Sequence, residues 1–186
     1  MGPRDRLVES TIELVREQGV HGAGLTALLD RSRTSRNSLY QHFPAGKGEL
    51  VEAATQIAGA RLTRFLAKVV ATGEPRDWLA AMTGWARALV EPSDYRAGCP
   101  VLGAALAESE PAVQAAAGAA FADWTALLTT ALRERGVDHE RAEALAGTLI
   151  SAIEGAIAQA RALKTSRPLD DVESVFAPLL DAIGPA

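Results

Sequence analysis

"TSRNSLYQHFPAGKGEL", residues 34–50, gathers small hydroxylated residues, Arg36, His42 and Lys47 around Leu39 and admits no acid before Glu49. A solvent-facing helix on an acidic protein ordinarily mixes charges of both signs, so this segment is suited to meet something negative. Ser35 can cap a helix that runs to about His42, with Leu39 as its buried anchor. Phe43 folds back onto the same small core, Pro44 ends the helix, and "PAGKG" forms the next bend.

Upstream, "RDRLVESTIELVREQG" reads as a helix with Leu7, Thr11, Leu14 and Val15 on one face and Gly19 as its stop. A short helix follows from about Leu25 to Arg31, with Leu25, Leu28 and Leu29 inward, and "SRTS" is the turn into the segment above. Downstream, a long helix starts near Lys47 with the stripe Leu50, Ala54, Ile57, Ala58, Leu62, Phe65, Leu66 and Val69. Further helices are expected over about 75–91, 101–108 and 111–136, then two more to the end of the chain. No strand signal, repeat or low-complexity linker interrupts them. The pattern predicts an all-α protein of about nine helices. Residues 1–47 form a three-helix helix-turn-helix domain, and residues 48–186 a larger helical domain.

Composition agrees. Of the 186 residues, 48% are hydrophobic and 23% charged, which suits a folded globular chain. Alanine and leucine dominate while β-branched and aromatic residues are thin, which favours helix. The net charge of -4 does not suggest a protein coating nucleic acid or an anionic membrane, yet it hides a polarity. Residues 1–48 hold seven Lys/Arg against five Asp/Glu, whereas residues 49–186 hold twelve against eighteen. A single cysteine, Cys99, rules out an internal disulfide and fits a reducing compartment. No apolar run of membrane-spanning length and no secretory signal are read from the sequence, so a cytoplasmic protein without membrane contact is expected. Glycine-rich phosphate loops, a nucleophile with a paired base and converging carboxylates are all missing, which argues against an enzyme. His21, His42 and His139 are scattered, so neither a metal nor any other cofactor is expected.

Two short helices joined by a tight turn can present the second to a DNA major groove. Arg36, Asn37 and Gln41 are the candidates for base edges: Arg pairs with guanine O6/N7, and Asn or Gln with adenine N6/N7. Thr34, Ser35, Tyr40 and His42 suit phosphate oxygens. Lys47 stands at the start of a long helix, where free backbone N–H groups already favour phosphate. From Arg31 to Lys47 there are four Lys/Arg and no acid. A solvent-exposed helical pair with no DNA role remains the plainer alternative at this level.

The stretch "GLTALLDRSRTSRNSLYQHFPAGKGELVEAA" resembles the DNA-binding segment of TetR-family transcriptional regulators, in particular the LmrA/YxaF-type multidrug-resistance subgroup. The resemblance rests on Ser35 to Ser38, Leu39-Tyr40-Gln41-His42-Phe43, and Lys47 with Leu50. Gly98-Cys99-Pro100 and Glu154-Gly155-Ala156 extend it into the second half of the chain. It implies a homodimer that binds a palindromic double-stranded DNA operator and releases it for a small hydrophobic or aromatic effector. Two departures stand out. Ser32-Arg33-Thr34 replaces the usual Ala-Gly-Val, which makes Arg33 an added phosphate candidate, and Arg36-Asn37 replaces Lys-Gly, leaving Ser38 behind it in the reading helix. An activator or global regulator of the same fold, or a helical ligand-binding module that ignores DNA, are the alternative functions.

Trp78, Met82, Trp85, Phe121 and Trp124 are the notable side chains of the second half. They fit plain core packing or an apolar cavity between helices; the resemblance favours an effector cavity without fixing its walls. Glu154 is open between a surface or cap role and a reach toward the effector. Leu145, Leu149, Ile153 and Ile157, then Val172, Val175, Phe176 and Leu179, form two apolar stripes that serve either the core or a dimer interface. A two-fold DNA site calls for a two-fold protein, and the resemblance places the dimer on these helices.

Overall fold

The computed structural model describes residues 1–183. Among these it forms nine α-helices and no strand, as the helical periodicities predict. They are α1 (Pro3–Gly22), α2 (Leu25–Ser32), α3 (Arg36–His42), α4 (Lys47–Val70), α5 (Pro75–Val90), α6 (Pro100–Ala105), α7 (Pro111–Glu134), α8 (His139–Leu163) and α9 (Arg167–Asp181). A single 3-10 turn, Glu91–Ser93, follows α5.

The chain divides into two compact units, each made of two separate segments. The first comprises Met1–Ala60 with Cys99–Ala120. The sequence expectation placed a division of roles between residues 47 and 48; the compact unit continues past it and takes in α6 and the start of α7. Leu7, Thr11, Leu14 and Val15 of α1 are buried, as are Leu28, Leu39, Phe43 and Leu50, and α1 packs on α2 and α3. Thr11 stays inside by donating its hydroxyl to the Leu7 carbonyl at 2.8 Å. Gly19 breaks α1 with φ 71° and ψ 176°. α6 packs on α1. Later in the unit a β-carbon at Gly59 would stand 2.7 Å from that of Ala120, so only glycine allows so close an approach there.

The second unit comprises Arg61–Gly98 and the chain from Phe121 onward. Here α5, α8 and α9 pack on one another. Leu79 and Val90 of α5, Ile157 and Ala160 of α8, and Leu169 and Leu180 of α9 fill the core. Polar ties stitch the helices at the margin. Buried Thr83 donates to Glu173, and Arg87 pairs with Asp170 at 2.6 Å. Asp138 caps α8 by accepting from the Arg141 N–H at 3.1 Å.

α7 corrects one expectation: its length and composition are sufficient to cross a bilayer, where the sequence reading found no such run. Val113, Ala117, Ala120, Trp124, Leu128, Ala131 and Leu132 are its buried apolar residues, most of them three or four positions apart. That is the stripe of a helix with one packed face. Alanines on the remaining surface raise its apolar content.

Candidate nucleic-acid interface and ligand cavity

The turn between α2 and α3 is built from hydrogen bonds that end one helix and begin the next. Arg33 lies in the left-handed region, φ 50° and ψ 47°. Its N–H reaches the Asp30 carbonyl at 3.2 Å, and the Thr34 N–H reaches Leu29 at 3.1 Å. This pairing is the Schellman stop, which usually places glycine where Arg33 stands. Ser32 is buried, with its hydroxyl 2.6 Å from that of Thr34. Ser35 then caps α3, its Oγ accepting from the Ser38 N–H at 3.1 Å. The hydroxyls of Thr34 and Ser35 are therefore already engaged in building the turn.

With Leu39 fully buried and Phe43 2% exposed, the opposite side of α3 is fixed outward. At about 100° per residue, Arg36, Asn37, Tyr40 and Gln41 occupy an arc of roughly 140° centred away from Leu39. All four are exposed, and no acid lies among them. Arg33 and His42 are also exposed, though His42 falls outside the arc, and Ser38 is half-buried. The Tyr40 ring rests against Gly46, whose φ is 83°; a β-carbon there would sit 3.3 Å from the ring.

Not every positive charge of this stretch is turned outward. Arg31 pairs with Glu17 at 2.9 Å and approaches Glu13 at 3.9 Å. The Glu17 hydrogen bond leads the interactions that hold its pKa above the ordinary arginine value. Half-buried Lys47 donates its Nζ to the Val20 carbonyl at 3.0 Å. Sequence reasoning passed over two arginines that α1 brings to this region. Arg6 donates from Nε to the Ser32 carbonyl at 3.1 Å, and the Arg4 guanidinium lies 5.4 Å from the centre of the Phe43 ring. Their distance along the chain from the turn left no local signal.

In the second unit, Met82, Trp85 and Trp124 line a cavity of about 20 Å³ with Leu62, Phe65 and Leu66 of α4 and Ile150, Ile153 and Glu154 of α8. It has room for about one water molecule. Trp124 is 1% exposed and donates its indole N–H to the Thr63 hydroxyl at 3.1 Å. Glu154 is 6% exposed, so the surface role considered for it does not hold.

Two of the expected effector residues stand elsewhere. Trp78 is buried, with its indole N–H on the Gly73 carbonyl at 3.3 Å and Arg135 5.5 Å over its ring. Phe121 packs edge-on against Trp124, centroids 5.2 Å apart, and borders a separate shallow groove with Thr125 and Thr129.

The expected interface residues divide in the same way. Leu149, Ile153, Ile157 and Phe176 are buried within the single chain. Leu145 and Val172 are half-buried, while Val175 and Leu179 are 59% and 46% exposed. Pro178 of α9 and Ala182, just past its end, extend the exposed apolar strip of Val175 and Leu179. The exposed side of α8 carries instead the small residues Ala144, Thr148, Ser151, Ala158 and Ala162.

Residues 7–54 match the family model described as bacterial regulatory proteins, tetR family. Residues 75–175 match that of the transcriptional regulator LmrA/YxaF-like C-terminal domain. The chain is 32% identical over 186 residues to the HTH-type transcriptional regulator Rv0196 of Mycobacterium tuberculosis, covering 96% of this chain and 94% of that one. It is 28% identical to the HTH-type transcriptional regulator LmrA of Bacillus subtilis over 182 residues, 95% of this chain and 96% of that one. Among solved structures, a TetR transcriptional regulator from Legionella pneumophila shares the fold with a TM-score of 0.83 at 19% identity, over 97% of this chain and 98% of that one.

Proposed function

Because the chain belongs to the TetR family of bacterial transcriptional regulators, with an LmrA/YxaF-like carboxy-terminal domain, we propose that it is a ligand-responsive repressor that holds a palindromic operator as a homodimer. The observation that carries this reading is the acid-free exposed arc of Arg36, Asn37, Tyr40 and Gln41 on a helix anchored by buried Leu39. Arg36, Asn37 and Gln41 meet base edges. Arg33, Tyr40, His42 and the positive charge of Lys47 meet the backbone, while Thr34, Ser35 and Ser38 shape the turn and offer their remaining hydrogen-bonding capacity to phosphate.

The exposed strip of Val175 and Leu179 on α9, beside the small residues of α8, supports a two-fold contact. Such a dimer spaces its reading helices about 34 Å apart to meet successive major grooves. A small hydrophobic or aromatic effector enters the cavity of Met82, Trp85 and Trp124. It releases DNA only to the extent that it binds the non-binding arrangement more tightly. α4, which supplies Lys47 at one end and Leu62, Phe65 and Leu66 to the cavity, is the route of that coupling.

Selection of bound duplexes from a random library tests the reading. The expected product is a symmetric site, bound with an affinity that falls steeply with salt. The Arg36→Ala, Asn37→Ala double variant keeps its fold by circular dichroism and loses the site preference. A protein that ignores duplex DNA at low salt would end this proposal.

A further inference from the structure

We propose that Glu110 is an autoinhibitory charge, its carboxylate held against the start of α4 where it weakens the grip of the first unit on operator phosphate. The inference rests on reading α3 and the start of α4 as the DNA-facing surface, and adds to it a residue that sets affinity. Glu110 stands immediately before Pro111, the first residue of α7. Its N–H reaches the Ala107 carbonyl at 2.9 Å, and the Gln114 side chain ties α7 to the Ala105 carbonyl of α6 at 3.0 Å. So held, Glu110 presents Oε2 to Gly48, where a β-carbon would stand 3.2 Å from it. Glycine at that position leaves the carboxylate room beside the first turn of α4.

The neighbouring charges of this turn are committed. Lys47 donates its Nζ to the Val20 carbonyl at 3.0 Å, and Glu49 accepts from the Ala45 N–H at 2.8 Å. Half-buried Glu110 has no ion-pair or hydrogen-bond partner for its carboxylate among the described residues. The free N–H groups of a helix start attract a carboxylate and a phosphate alike, so Glu110 and DNA contend for one feature. The contact is also near the reading surface. The Tyr40 ring rests on Gly46, two residues before Gly48. The carboxylate therefore lies within roughly 15 Å of that ring, comparable with the Debye length of about 10 Å at 0.1 M salt.

The test measures the affinity of the full-length protein for its selected operator and for a random duplex, with Glu108→Gln as control. Glu108 is exposed two residues away, so its variant makes the same change in net charge. At about 50 mM salt Glu110→Gln should tighten both duplexes about three- to tenfold, and at about 0.5 M the gain should vanish. Base preference should stay unchanged, and Glu108→Gln should gain less than about twofold. Equal gains from the two variants assign the effect to net charge, and an unchanged or lower affinity in Glu110→Gln makes the contact structural. Either result overturns the proposal and leaves the DNA reading standing. Unmodified protein that ignores both duplexes at low salt overturns the two together. Should Glu110→Gln fail to fold, Glu110→Ala is judged by the same gain and the same salt dependence.

Discussion

Arg33 shows how one side chain departs from its surroundings for a reason. The Schellman stop of α2 needs a left-handed residue, and an L side chain there costs roughly 1–2 kcal/mol that glycine avoids. Arg33→Gly should therefore raise unfolding stability by about 0.5–1 kcal/mol, net of glycine's greater freedom in the unfolded chain. Urea melts compared at equal slope check the gain. The same variant should weaken DNA binding and lower the slope of log affinity against log salt by about one unit per protomer, the signature of a lost phosphate contact. An unchanged slope would assign Arg33 no role on DNA. Sequence reasoning identified Arg33 as unusual because the turn pattern of its relatives contains glycine. It did not identify Arg4 and Arg6, since no pattern of neighbours links residue 6 to the carbonyl of residue 32.

Among the helices, α3 depends most on its neighbours. Seven residues are too few to sustain a helix in water, so its order comes from the Ser35 cap and the burial of Leu39. Ser35→Ala should cost about 1 kcal/mol, and Leu39→Ala about 2–5 kcal/mol, both read from denaturant unfolding. These elements were legible because periodicity and caps are local. Periodicity failed where it had to say what a face meets. Leu149, Ile153 and Ile157 share one side of α8, but that side is consumed by their own chain. The outward side includes small residues, Ala144, Thr148, Ser151, Ala158 and Ala162, which form no strongly apolar stripe. Trp78 is a second case: helical spacing left it open between core and cavity, and its indole N–H goes to the Gly73 carbonyl.

For the whole molecule, the proposed dimer assigns assembly to the exposed stripe and leaves stability to the buried one. The Val175→Glu, Leu179→Glu double variant should leave the melting temperature of the individual chain nearly unchanged and sediment as a monomer with weakened operator affinity. Leu149→Ala, at a site 4% exposed, should instead lower stability by about 2–5 kcal/mol at any oligomeric state. A dimer that survives the double glutamate variant moves the interface elsewhere. The all-α architecture was recoverable from spacing alone; the membership of the compact units was not, because residues 99–120 join the first unit from far along the chain. This discontinuity has an evolutionary consequence. A gene fragment ending at codon 60 encodes α1 without the α6 that packs on it and Gly59 without Ala120. Recombination that shuffles reading heads between regulators must therefore carry the middle of the gene along or evolve a replacement for it. On the proposed reading of α3, point changes there are a simpler path to a new operator than domain exchange.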